Sequence, residues 1–399
     1  MPHIRTRYAE VLVEKALSHS PIVGVLGQRQ VGKTTVLEKK CNDYRTLDKE
    51  TTLRELEADP ELFISNRGVR FAIDEAQLSP RLFPALKEWV RTSKKTGQFL
   101  LSGSVRFTSR KAIRESLTGR IVAIEVLPFT HAEASNRPLP TLLQAITQTR
   151  KQETLSALFA KKSVATTAEF ESYLLTGGLP GICFFRSQSV RALRWETQID
   201  TLLNRDLRLI QNTSLPYQAL RDLLTFVAKN QGAPFEIGTA VKTTQISAIT
   251  IKKLLFAYES LFLIRIINST GDLTKPTYFF EDQGFATWLT RNTFSQPQDI
   301  IRCLFANLRQ EFHYRPEQNG RIYQYRTKHD VEIPLVFDSK DVKVGILATL
   351  DKELRPKTLA SAQAFLKQSP EFKCVIAYAG ETAIARSESL FLIPYFWLL

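Results

Sequence analysis

The run Gly27-Gln28-Arg29-Gln30-Val31-Gly32-Lys33-Thr34 follows the apolar stretch Ile22–Leu26 and opens a segment of helical character. A G-x-x-x-x-G-K-T sequence between a strand and a helix predicts a phosphate-binding loop. Gly27 and Gly32 let successive backbone N–H groups curl around an anion, Lys33 reaches the outer phosphates, and the Thr34 hydroxyl is placed to ligate magnesium. The nucleotide-contacting set expected from this loop is Gly27, Gln28, Arg29, Gln30, Val31, Gly32, Lys33, Thr34 and Thr35. The N–H groups of the following helix and its positive end favour the same anion.

The surrounding pattern predicts a layered α/β domain. A short amphipathic helix over Thr6–Leu17 precedes Pro21 and the first strand. Strands are then predicted at Tyr44–Leu47, Val69–Ile73, Gln98–Leu101 and Arg120–Val126, with helices over Thr34–Lys40, Leu53–Ala58 and Leu82–Val90 between them. The strand Val69–Ile73 runs into Asp74-Glu75. Asp74 is predicted to hold hydrated magnesium opposite Thr34, and Glu75 to activate or position the attacking water. The strand Gln98–Leu101 runs into Ser102-Gly103-Ser104, which reads either as a contact to the terminal phosphate or as a plain turn. Arg29, Arg106 and Arg120 are candidates to neutralise charge on the transferring phosphoryl group, against the simpler reading of each as a surface arginine.

Length and charge set the wider frame. A chain of 399 residues exceeds one ordinary core and calls for two or three domains. The apolar run Leu254–Ile267 is interrupted by Glu259 and Arg265, so no segment reads as a membrane span. The charged start Met1–Arg7 has no apolar run behind it, and a cytoplasmic protein is expected. Cys41, Cys183, Cys303 and Cys374 are scattered, and the five histidines form no ligand cluster, so neither a disulfide framework nor structural zinc is indicated. The formal charge of +14 favours a polyanionic partner or simply solubility.

Further motifs carry a resemblance. They are F-A-I-D-E-A-Q (Phe71–Gln77), L-S-G-S (Leu101–Ser104), G-R-x-x-x-I-E-V-L-P-F (Gly119–Phe129), Y-L-L-T-G-G-L-P (Tyr173–Pro180), Asn204-Arg205-Asp206 and Phe280-Glu281-Asp282-Gln283-Gly284. With the phosphate loop, they make the chain resemble a family of prokaryotic AAA-type P-loop ATPases that carry a carboxy-terminal DUF4143 region. The resemblance implies ATP and Mg2+ as cofactors and a nucleotide loop at Gly27, Gly32, Lys33 and Thr34. It implies acids at Asp74 and Glu75, a sensor region at Ser102 to Ser104 with Ser104 near the nucleotide, and a catalytic role for Arg120 beside Lys33 and Glu75. It also implies a winged-helix-like middle and a small restriction-nuclease-like α/β end, often degenerate.

The expected fold is therefore α/β, a P-loop NTPase domain followed by those two units. Residues 1–134 are assigned to the ATPase, 135–168 to a helical connector, 169–300 to the winged-helix-like unit and 301–399 to the nuclease-like unit. Gly177-Gly178-Leu179-Pro180-Gly181 reads as a joint between two helices, or else as a bend pressed against the ATPase domain. The crowded Arg186, Arg191, Arg194, Arg205 and Arg208 read as a charged helix face or as phosphate contacts. Helices over Tyr217–Ala228 and Ser247–Tyr258 and the strand Leu261–Ile267 fit a winged helix that presents Thr250, Lys252 and Lys253, or a packing module.

Near the end, Asp330 and Glu332 resemble a nuclease strand. The expected acid-x-lysine is instead Ile346 to Ala348 in Gly345-Ile346-Leu347-Ala348, and Asp341 and Lys343 are out of register, so a non-cleaving scaffold is predicted. The leading expectation is a magnesium-dependent ATPase coupled to double-stranded DNA or to a protein, with an oligomer open. Its rivals are a nucleotide-gated interaction protein with negligible turnover and a DNA-processing enzyme with a live nuclease.

Overall fold

Five parallel strands form the first layer, the three inner ones buried throughout and the two outer ones partly exposed. In this computed structural model, which describes residues 4–399 except 66, 68, 108–116, 161–163, 273, 292–293 and 329–330, helix α1 (Ala9–Leu17) leads into β1 (Ile22–Leu26). Then follow α2 (Lys33–Lys40), β2 (Asp43–Thr46), α3 (Glu50–Ala58), α4 (Pro60–Ser65), β3 (Phe71–Asp74), α5 (Leu82–Ser93), β4 (Phe99–Gly103) and β5 (Ile121–Glu125). All pairings are parallel, in the order β2-β3-β4-β1-β5. Every residue of β1 is buried, as a central parallel strand covered by helices requires. The strand bounds match the sequence reading to within a residue or two. Helix α3 ends at Ala58, directly before Asp59-Pro60, and Pro60 opens a further helix, α4, in whose first turn its missing N–H costs nothing.

Beyond β5 the chain does not proceed domain by domain. The helices Leu142–Gln148 and Gln152–Ala160, expected as a connector, pack their Leu143, Ile146, Leu155 and Phe159 into the core of the carboxy-terminal sheet. The helix Thr167–Thr176 joins them, with Phe170 edge-on to Tyr395 at 4.7 Å. These two helices of the expected connector are thus part of the terminal core rather than a linker, because their apolar faces find cover there.

Within the middle region, the stretch from Tyr217 to Phe280 holds, among the described residues, the helices α6 (Tyr217–Lys229), α7 (Ile237–Thr244) and α8 (Ala248–Ser260), followed by β6 (Ile264–Ile267), β7 (Ser269–Gly271) and β8 (Thr277–Phe280). Strands β6 and β8 form an antiparallel pair, and Pro234 bridges to Thr277. The connecting strand β7 leaves this pair and joins the last sheet. That sheet follows α9 (Pro297–His313) and contains β9 (Arg321–Arg326), β10 (Glu332–Asp338), β11 (Lys343–Ala348), then α10 (Pro356–Gln368), β12 (Lys373–Tyr378), β13 (Ile384–Ala385) and β14 (Leu390–Pro394). Its order is β13-β14-β12-β11-β10-β9-β7. Strands β9 to β11 form an antiparallel meander, and β12 returns parallel to β11 after α10. Among the described residues, no helix is long and apolar enough to cross a membrane.

A buried charge network ties the three regions together. Arg106, just past β4, pairs with Glu125 at the end of β5 (3.2 Å), and its backbone N–H and Nε donate to the carbonyls of Ser260 and Glu259 at the end of α8. Arg265 on β6 bridges Glu125 and Glu281, and Glu281 also receives Arg309 from α9. Burial pushes the Glu281 carboxyl up, but the Arg265 and Arg309 guanidiniums outweigh it and hold the group down at about 2. His313 of α9 contacts the Glu125 carbonyl at 2.9 Å, and burial lowers its pKa despite the neighbouring carboxylate.

Candidate nucleotide site

The functional side chains converge because β1, β3 and β4 are parallel and end at the same edge. Gly27 leaves β1 with φ 153°, and a Cβ there would meet the Val126 carbonyl oxygen at 2.4 Å, so only glycine lets the loop turn under β5. Gly32, at φ 97°, precedes α2 in the left-handed region. Lys33 is 5% exposed and folds back on the loop, donating to the carbonyls of Gly27 and Gln28 at 3.0 Å each. Burial lowers its pKa, opposed by Glu75 and Asp74. Phosphate oxygens are the natural replacement for those carbonyls. Gln28 is buried, whereas Thr34 and Thr35 face outward.

Asp74 ends β3 and gathers the site. The Thr34 hydroxyl donates to its Oδ2 (2.7 Å), the Tyr44 hydroxyl to the same oxygen (2.6 Å), and the Ser102 hydroxyl to Oδ1. Glu75 follows with φ 54°, a left-handed conformation that costs a non-glycine residue on the order of 1–3 kcal/mol and is kept where its surroundings fix it. The fixing contacts are its N–H to Ser102 Oγ (3.0 Å) and its carboxylate, which accepts from Gln77 and from Ser104 (3.2 Å). Ser102 and Ser104 therefore hold the two acids, and the turn they make is part of the site.

Among the sequence-predicted arginines, Arg29 stays at the site, 3.5 Å from Asp206 of the Asn204-Arg205-Asp206 segment. Arg106 does not, being engaged with Glu125 and lying over the Phe262 ring. Arg120 precedes β5, whose Ile121 pairs with Ile22 at the start of β1. It stands at the opposite edge of the sheet from Lys33, so the expected catalytic role within its own site is corrected: residues that precede a parallel strand lie away from those that end one.

Other residues come into view only in three dimensions. Tyr44 and Gln77 are two, and the second is signalled by the F-A-I-D-E-A-Q motif. Arg7 is a third, 3% exposed, paired with buried Glu133 (2.9 Å) and donating to the carbonyls of Val31 and Leu127. It fastens the first residues of the chain to the phosphate loop. Gly177–Gly181 satisfies both readings, joining the helices Thr167–Thr176 and Pro180–Cys183 and pressing on the first domain. A Cβ on Gly178 would lie 2.0 Å from the Phe129 carbonyl oxygen, and Phe129 N–H donates to Gly178 O at 2.7 Å. Asp282 holds the bend from behind by accepting the Gly178 N–H (2.7 Å), and burial pushes its carboxyl up to about 6.

Glu332 pairs with Arg326 at 2.7 Å, beside Pro334, Leu347 and Ala348 in a cavity whose other charged residues, Arg355 and Lys357, are basic. Ile346 is buried in the core, Lys343 pairs with Asp338 at 2.7 Å, and Asp330 lies outside the described residues. No group of three potential metal-ligating side chains occurs among the described residues.

Comparison with known families agrees with the phosphate-loop geometry. Residues 19–135 match the family AAA_14, an AAA domain. That stretch is thus similar to AAA-type P-loop domains. Residues 167–296 match DUF8612, a domain of unknown function, and not the DUF4143 region that the motifs resemble. The uncharacterized proteins Rv2008c of Mycobacterium tuberculosis and Mb2031c of Mycobacterium bovis are each 28% identical over 412 residues, 98% of this chain and 84% of the relative. Among solved structures, the Walker-type ATPase PABY2304 of Pyrococcus abyssi is 16% identical with a TM-score of 0.41, over 70% of this chain and 94% of that one. A STAND protein with a tetratricopeptide repeat sensor, PH0952 from Pyrococcus horikoshii, is 13% identical with a TM-score of 0.28, over 79% of this chain and 49% of that one.

Proposed function

We propose that the chain is a magnesium-dependent ATPase that couples its nucleotide state to double-stranded DNA. The observation that carries the first half is the single hydrogen-bonded set of Thr34, Asp74, Glu75 and Ser102 beside Lys33. Thr34 and Asp74 offer oxygen donors only, two in number, which suits a Mg2+ ion that keeps several waters. They would hold it against the phosphates, where it would neutralise charge on the transferring group. Glu75 orients and deprotonates the attacking water.

DNA binding is supported by the middle unit. Three helices followed by a strand pair, with a bridge at Pro234, suit a winged helix whose third helix enters the major groove. On α8 the exposed residues include Lys252 and Lys253, with Thr250 half-buried beside them. The terminal unit, with its helix, three-strand meander, helix and strand, supports a nuclease-like scaffold, and no group of three potential metal-ligating side chains occurs there among the described residues.

The test measures ATP turnover and duplex binding at about 50 and 200 mM salt. DNA-stimulated turnover that fades with salt is expected, and replacing Lys252 and Lys253 by alanine should flatten the log–log salt slope by about 0.9 for each phosphate that the variant no longer neutralises. Stimulation or binding indifferent to salt counts against DNA and favours a protein partner. A nucleotide-gated protein with little turnover is the second reading, favoured by the engagement of Arg106 with Glu125 and the distance of Arg120 from Lys33.

A further inference from the structure

We propose that the exposed face of α8 reads the thymine methyl groups of duplex DNA in the major groove. The inference rests on the DNA-coupling reading and adds to it a base preference that two lysines alone cannot supply. Ser247 caps α8 by accepting the Thr250 N–H at 3.3 Å, which places Ile249 in the first turn. On the inner side Ile251, Leu254, Leu255 and Tyr258 are buried, and the Tyr258 hydroxyl donates to the Leu220 carbonyl of α6 at 2.8 Å. The rotation of the helix about its own axis is thereby fixed.

That rotation turns a mixed stripe outward. Ile249, Lys252, Lys253 and Phe256 are spaced i, i+3, i+4 and i+7, so they share one face. Ile249 is 71% and Phe256 55% exposed, and no acid occurs among the exposed residues of α8. Two apolar ends thus bracket two cations that, among the described residues, have no carboxylate partner. A protein interface would desolvate both ammonium groups at its centre, where lysine is disfavoured. In a major groove the long lysine stems reach sideways to phosphates, while the apolar side chains meet the bases. Ile249 and Phe256 stand about 10.5 Å apart along the axis at about 1.5 Å of rise per residue, close to three base steps of about 3.4 Å. Neither side chain can hydrogen-bond, so neither reads the donors and acceptors of a base edge. The apolar group on the floor of that groove is the thymine methyl.

Fluorescence anisotropy on the full chain, with ATP and Mg2+ present and absent, tests this with two alternating duplexes of equal length. One pairs adenine with thymine, and the other is the same with uracil in place of thymine, so only the methyl groups differ. The wild type should bind the thymine duplex about fourfold to fifteenfold more tightly, the worth of one or two buried methyl groups. Ile249→Ser and Phe256→Ser, both at positions exposed enough to leave the core intact, should each shrink that ratio, and the double variant should bring it close to one. Lys252→Ala should weaken both duplexes alike and keep the ratio. Equal wild-type affinity for the two duplexes overturns the methyl reading and leaves DNA coupling standing. A preference that persists in the double variant does the same, because it would then come from the shape of the duplex. Binding of neither duplex overturns both.

Discussion

Glu75→Gln should lower ATP turnover about 10²–10⁴-fold while leaving ATP affinity within about threefold, the loss typical of a removed general base. The geometry makes this variant informative. The Glu75 carboxylate accepts from Gln77 and Ser104, and a glutamine carbonyl can accept the same bonds, so the side chain should keep its place and lose only its basicity. Lys33→Ala is the complementary change. It removes the cation now folded on the Gly27 and Gln28 carbonyls, and binding itself should fall with turnover. Steady-state hydrolysis and nucleotide titration on both proteins separate the outcomes: unchanged turnover in both variants would falsify the hydrolytic mechanism. A wild type that binds ATP but turns over no faster than Glu75→Gln would instead point to a nucleotide-gated switch.

Glu281→Ala should destabilise the fold by about 3–5 kcal/mol in urea unfolding, since it strands buried guanidiniums without their carboxylate. Glu281 is 2% exposed and takes both Arg265 and Arg309, the latter 4% exposed. A surface pair such as Arg54 and Glu50, both largely exposed, is the internal comparison, and Glu50→Ala should cost less than about 1 kcal/mol. Equal effects at the two sites would mean that water screens the buried network. The expected loss is large because Glu281 touches one arginine from the middle region and one from the terminal helix, so both interfaces are affected together.

Much of the first domain is legible in the sequence because its signals are local. The apolar runs at Ile22–Leu26 and Phe71–Ile73 and the loop between Gly27 and Thr34 each declare themselves within a few residues. The end of the sheet that a residue occupies is legible too, but only once the strands are known to run parallel. Gly27, Asp74 and Ser102 finish or follow their strands, while Arg120 precedes one, and in a parallel sheet that difference separates them by the length of a strand. Arg106 escapes for another reason: its position after β4 is right, but its partner Glu125 is 19 residues away and buried beside it. The seating of Gly178 on Phe129 cannot be read at all. Glycine there answers to a carbonyl 49 positions earlier, which no local spacing reports. Similarly, the helices expected as a connector have ordinary amphipathic patterns, and only the presence of an uncovered sheet says where they go.

Strand β7 sets the mechanics of the far half of the molecule. It lies between β6 and β8 in sequence yet pairs with β9, and Gln324 of β9 spans the seam, its amide engaging the Thr277 hydroxyl and the Gly232 carbonyl. The link from β6 to β8 is stitched into the neighbouring sheet. The stretch matched as DUF8612 thus ends in sequence where it does not end in space, since its strand β7 belongs to the sheet of the following region. Displacing the terminal sheet would therefore pull on the middle region directly, through the β7–β9 pairing and the Gln324 amide rather than through a flexible joint.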